Sequence, residues 1–129
     1  MVFSLIGCGQ IGLGGGTGAN ESTPSGTILA TGTFEALSSS YPVSGLVQII
    51  NSASSGTNII HLESFSAPTS GGLELRAVVN GTDTRISALR SATGDMNYTT
   101  TFTGTTPAWT SVSIQATSSD ETYGTAVLR

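Results

Sequence analysis

The chain has no lysine. Its positive charges are Arg76, Arg85, Arg90 and Arg129, against eight carboxylates, for a net charge of −4. Four scattered arginines on an acidic chain cannot neutralise a run of phosphates, which excludes nucleic-acid binding. Charged residues of either sign make up only 9% of the sequence, where about 25% is usual. There is one cysteine, Cys8, and one histidine, His61. A disulfide within the chain is therefore excluded, and so are zinc and blue-copper sites, which need several sulfur and imidazole ligands. A Ser-His-Asp triad survives the count, because His61 could serve once. The 129 residues fit one domain, since domains cluster near roughly 100–150 residues. A chain of that length buries about two-thirds of its unfolded surface, so a real core is available.

Ser, Thr and Gly fill more than two positions in five. That composition suits extracellular or cell-surface β proteins better than cytosolic enzymes. No segment keeps a helical period, and short β-type runs alternate with turn residues. The runs are Ile28 to Ala36, Val43 to Ile50, Asn58 to Phe65, Leu73 to Asn80, Thr84 to Leu89, Met96 to Phe102, Trp109 to Thr117 and Thr122 to Leu128. Leu73, Leu75, Ala77 and Val79 share one face, as a half-buried strand requires. Asn80-Gly81 is a hairpin-turn dipeptide. The expected fold is all-β, an antiparallel β-sandwich of about eight strands, in which each one-sided strand buries its apolar face against a second layer.

The first residues read differently. Val2-Phe3-Ser4-Leu5-Ile6 is apolar, and a glycine-rich stretch follows it to Gly26. Gly7, Gly9 and Gly12 fit the G-x-G-x-x-G spacing of a dinucleotide site. That motif needs a helix beginning at its second glycine, so that the pyrophosphate sits on the helix N-terminus. The Gly, Thr, Asn and Pro that follow cannot sustain one. Leu5-Ile6-Gly7-Cys8 resembles a bacterial lipobox, and the resemblance implies that Cys8 is diacylglycerated and becomes the mature N-terminus. Two other readings stay open: a small buried thiol, and an apolar head that pairs with a neighbouring subunit's sheet edge. The expected organisation is a signal or lipobox-like segment at 1–8, a flexible Gly-rich tether at 9–26 and the folded domain at 27–129. A coil as long as that tether spans roughly 23 Å.

Between Gly32 and Leu128 stand, in order, Gly32-Thr33-Phe34, Val43-Ser44-Gly45-Leu46-Val47-Gln48-Ile49, Leu62-Glu63-Ser64-Phe65, Leu73-Glu74-Leu75, Leu89-Arg90-Ser91-Ala92-Thr93-Gly94-Asp95-Met96-Asn97-Tyr98, Val112-Ser113-Ile114 and Tyr123-Gly124-Thr125-Ala126-Val127-Leu128. In these pieces and their spacing the sequence resembles the DM-thirteen family. The resemblance implies a small β-sandwich, found beside DOMON domains in animals and in bacterial lipoproteins, for which electron transfer has been suggested. The family's redox cysteine lies two residues beyond the position of Ile114. Here that position is Ala116, which carries no thiol. Gly71-Gly72 replaces the family's Pro-Asp.

Few residues carry chemistry. His61 lies mid-strand and shares a face with Ile59, Glu63 and Phe65. It could ligate haem with Met96 opposite, or switch with pH. The simpler expectation is a surface or rim histidine paired with Glu63 or a neighbouring strand. There is no G-x-S-x-G elbow to supply a nucleophile. Asp120-Glu121, with Asp83 and Asp95 in other loops, is the one candidate for calcium, and solvated turn charge is the plainer reading. Trp109, Tyr41, Tyr98 and Tyr123 are either a binding patch or core, with Tyr41 the one expected to be exposed. Asn20, Asn80 and Asn97 each begin an N-x-S/T sequon, which matters only in a eukaryotic secretory pathway.

The expectation is a non-catalytic binding or structural module, without a cofactor, on a bacterial lipoprotein held in the periplasm or at the cell surface. Its partners would be the membrane, through lipid on Cys8, and an unidentified protein or glycan, with self-association left open. An electron-transfer module and a subunit of an extracellular filament are the alternatives.

Overall fold

The computed structural model describes residues 19–68 and 72–129. Cys8 with its tetrad, and positions 9–18 of the expected tether, lie outside the described residues. The described residues are all-β, with no helix. The strands are β1 (Ala19–Asn20), β2 (Gly26–Ala36), β3 (Ser44–Ser52), β4 (Thr57–Ser66), β5 (Leu73–Val79), β6 (Thr82–Ala88), β7 (Thr93–Thr103), β8 (Trp109–Ala116) and β9 (Thr122–Val127). They join in one sheet in the order β1-β7-β4-β3-β2-β9-β8-β5-β6. The β1–β7 pair is parallel and the others are antiparallel.

The sheet curls strongly on itself, and β2 is where it turns. Gly26 to Thr33 pair with β3, whereas Phe34 to Ala36 pair with β9. One long strand thus belongs to both arms of the curl. Period-two patterning supplies the core between the arms. Val47, Ile49, Ile60, Leu62 and Met96 come from one arm, and Leu75, Ala77, Val79, Val112 and Ile114 from the other. Edge-to-face rings tie the arms together, Phe34 on Phe65 and Phe102 on Trp109, each with centroids 5.4 Å apart. Asn58 is fully buried between the arms. Its side chain donates to the Gly104 carbonyl and accepts from Trp109 Nε1, both at 2.9 Å. Its backbone carbonyl accepts from the Thr100 hydroxyl at 2.8 Å.

The turns follow their residues. Asn80 and Gly81 both take positive φ, 54° and 80°, the two-residue turn that this dipeptide favours between twisted strands. The expected strands are all present, but β7 begins at Thr93, ahead of the Met96 start of the expected run. The count is nine rather than about eight because two residues of the expected tether, Ala19 and Asn20, pair with Gly94 and Asp95.

Candidate functional site

Ala19 to Gly26 form a strap. It begins as β1 on the β7 edge, leaves that edge after Glu21, crosses the outer face over β7, β4 and β3, and enters β2 at Gly26, opposite Ser52. A run of contacts, each between residues far apart in sequence, holds it down. The Glu21 amide donates to the Asp95 carbonyl at 3.0 Å. The Glu21 carboxylate accepts from the Asn97 amide at 2.7 Å and from the Arg90 guanidinium at 2.9 Å. The Ser22 carbonyl accepts from the Asn97 side-chain amide at 2.7 Å. The Thr23 hydroxyl lies 3.3 Å from His61 Nε2. Farther along, the Ser25 carbonyl accepts from the Ala53 amide at 3.0 Å.

The receiving residues come from the segment Leu89–Tyr98 and from β4. The Arg90 guanidinium stacks over the Tyr98 ring, 4.6 Å from its centroid. It also donates to the Asn97 carbonyl, while the Arg90 backbone amide donates to the Tyr98 hydroxyl at 3.0 Å. The arginine is therefore pre-oriented before it meets Glu21. Gly94 takes φ 107°, and a Cβ there would lie 2.0 Å from the Ala19 carbonyl oxygen. A side chain at position 94 and a strand at Ala19 exclude each other.

His61 explains why the strap matters to the interior. In β4, Asn58, Ile60 and Leu62 face the core, so His61 faces outward, in a row with Gln48 of β3 and Asn97 of β7. Its exposure is nevertheless 1%. Ile50, also turned outward, is equally buried, and its Cγ2 lies 3.0 Å from where a Cβ on Gly26 would stand. The strap is the cover over both. Because Asn97 Nδ2 donates to Ser22, its Oδ1 is the atom facing His61 Nδ1, at 2.6 Å. Nδ1 therefore donates to Asn97, and Nε2 faces the Thr23 hydroxyl.

The histidine was expected at the surface or rim. It is instead shut under the strap, with Asn97 as its close partner and Glu63 3.6 Å from Nε2. Met96 is fully buried and faces the core, while His61 faces outward from the paired strand, so the structure does not bring the haem-type pair together. The loop acids stand apart as well. Asp83 meets Arg76 at 3.2 Å, Asp95 accepts from the Ser64 amide at 2.8 Å, and Asp120 sits in the β8–β9 turn. The described residues hold no group of three or more His, Cys, Asp or Glu placed to hold a metal ion.

Chemically, hydroxyl, imidazole and amide here follow the order nucleophile, base, orienting group. Each is also a tie in the strap. Glu21, Thr23 and Arg90 were not singled out as site residues, although Glu21 is the first charged residue of the chain. That isolation was the available signal.

No family model, curated protein or solved structure matches the chain.

The remaining sequence candidates are structural. Trp109, Tyr98 and Tyr123 are buried. Tyr41, expected to be exposed, is half-buried and stacks on Tyr123 with centroids 4.1 Å apart and an interplanar angle of 2°. Ala116 is a core residue, 5% exposed. Of the sequons, Asn20 and Asn80 are exposed, but the Asn97 amide is fully engaged by His61 and Ser22.

On the other arm Glu74, 7% exposed on the outer face, meets Arg76 at 2.6 Å and Arg85 at 3.0 Å. The Arg76 hydrogen bond holds the Glu74 carboxyl below its ordinary value against the opposing effect of burial, with help from Arg85. A depressed folded pKa contributes stability above the unfolded pKa of about 4.3 and loses it as pH falls through the folded value. Glu74→Gln should cost about 1–2 kcal/mol at neutral pH. It should also flatten the loss of stability below pH 4.3, which urea midpoints measured down to pH 3 will show.

Proposed function

We propose that this chain is a lipid-anchored, non-catalytic binding module of a bacterial periplasm or cell surface, carrying one DM-thirteen-like β-sandwich whose two layers are the arms of the curled sheet. The observation that carries the reading is the strap. His61, Asn97, Arg90 and Glu21, which could otherwise serve chemistry, are engaged in holding Ala19–Thr23 on the β7 edge. The β7 edge is thus a place where an extended segment is recognised through its backbone and through single side chains, the logic of strand addition. The lipid rests on Leu5-Ile6-Gly7-Cys8. Electron transfer is the less favoured reading, because the position where the DM-thirteen resemblance would put a redox thiol is Ala116, a buried methyl group.

Native protein taken from the membrane fraction tests the reading. Intact-mass analysis should find diacylglycerol on Cys8 as the first residue, and the same sample should be colourless. An unmodified Cys8 thiol refutes the anchor, and a visible chromophore at one equivalent refutes the non-redox role.

A further inference from the structure

The strap has almost no slack. From β1 to β2 it crosses β7, β4 and β3, four inter-strand steps that alone take about 19 Å at roughly 4.8 Å per step, and it also runs along the strands from the level of Asp95 to that of Ser52. The six links from Asn20 to Gly26 reach about 20–22 Å when fully extended. The path lengthens further because the strap follows the outside of a curled sheet. Pro24 stiffens the middle of the link by fixing its φ. At the far end, Gly26 is paired with Ser52 and the Ser25 carbonyl is held by the Ala53 amide, so the link gains length there only by breaking these bonds.

The docking contacts themselves do not depend on which molecule supplies the segment. Ala19 and Asn20 add to an open strand edge. Glu21, the one charged residue before Glu35, meets Arg90 and the Asn97 amide, and Thr23 meets His61. The same segment from another molecule would make the same bonds and would relax the stretched link. Short hinges under tension favour such exchange.

We propose that the β7 edge, with Arg90, Asn97 and His61, takes the Ala19–Thr23 segment of a second copy of this chain, giving an arm-exchanged dimer. The partner follows from the site described above, and its contacts are the same whether or not Cys8 carries lipid. Anchoring to a membrane would raise the local concentration of copies and favour exchange.

The test uses the full chain with Cys8→Ser, so that no native thiol or lipid intervenes. Three forms are compared by sedimentation equilibrium: this chain, the chain lacking Pro24, and the chain with two glycines inserted after Pro24. Without Pro24 the link reaches only about 17–18 Å and cannot close on its own molecule. That form should be a dimer, with a dissociation constant at least about tenfold below that of the lengthened form, and the parent should lie between them. Equal masses for all three overturn the proposal, as does a monomeric deletion form. A second measurement does not need the deletion form to fold. Asn20→Cys with Asp95→Cys, oxidised in concentrated solution and then denatured, should yield covalent dimers whose share rises with concentration. An intramolecular disulfide at every concentration refutes exchange.

Discussion

Asn58→Leu is expected to destabilise the fold by about 1–3 kcal/mol, because it strands the buried Trp109 indole N–H. The Asn58 amide is the meeting point of the two arms near the β7–β8 loop. It gives a proton to the Gly104 carbonyl and takes one from Trp109 Nε1. Leucine fills a similar volume, so little of the cost comes from a cavity. It comes from an indole N–H left without a partner in the interior, since Gly104 is exposed and water can take over its carbonyl. Thermal unfolding followed by circular dichroism should show a midpoint roughly 4–15 °C lower. Asn58→Asp sharpens the test. It keeps an acceptor for Trp109 but aims a carboxylate at the Gly104 carbonyl, so it should be no more stable than the leucine variant. A midpoint within a degree or two of the parent for Asn58→Leu would show that Phe102 and Trp109 hold the arms together without this bridge.

The sequence made the strands legible because one face of each is apolar and the other is Ser, Thr or charge. Leu73, Leu75, Ala77 and Val79 all reach the core as their alternation requires, and Asn80-Gly81 makes the turn that its φ preference dictates. The curl was less legible. β2 changes partners between Thr33 and Phe34, and alternation along a strand does not record which neighbour each half has. The strap was illegible for a clear reason. Ala19 to Gly26 carry little apolar surface, so hydrophobic patterning has nothing to report, and their order comes from partners up to 76 residues away. His61 shows the same limit. Its position among Ile59, Glu63 and Phe65 marked an outward-facing side chain, and a segment with no hydrophobic signal then covered it. Phe65 leaves that face, because a register shift between Leu62 and Phe65, with Ser64 at φ 52°, returns it to the core.

Gly94 is the residue where the strap's presence can be read most directly. The Leu89–Tyr98 segment contributes arginine, aspartate and asparagine to the strap, and Gly94 contributes room. Gly94→Ala should cost about 1–3 kcal/mol for backbone strain at φ 107°. It should also expel Ala19, whose carbonyl oxygen would stand 2.0 Å from the new Cβ. The two effects separate by where they appear. Strain on β7 lowers the unfolding midpoint of the whole domain. Loss of the strap speeds hydrogen exchange at the Glu21 and Asn97 amides, and the His61 ring, 1% exposed in the parent, becomes open to solvent and to alkylation. Glu21→Ala provides the comparison, because it cuts the ties to Arg90 and the Asn97 amide without straining β7. It should raise exchange and alkylation in the same places while moving the midpoint by less. If Gly94→Ala lowers the midpoint but leaves His61 protected, the strap is held by its later contacts, Thr23 to His61 and Ser25 to Ala53, and β1 is dispensable. If both variants open His61 together, the two residues of β1 and the Glu21 carboxylate act as one latch. Residues 19–26 then belong to the folded unit in the energetic sense as well as the geometric one.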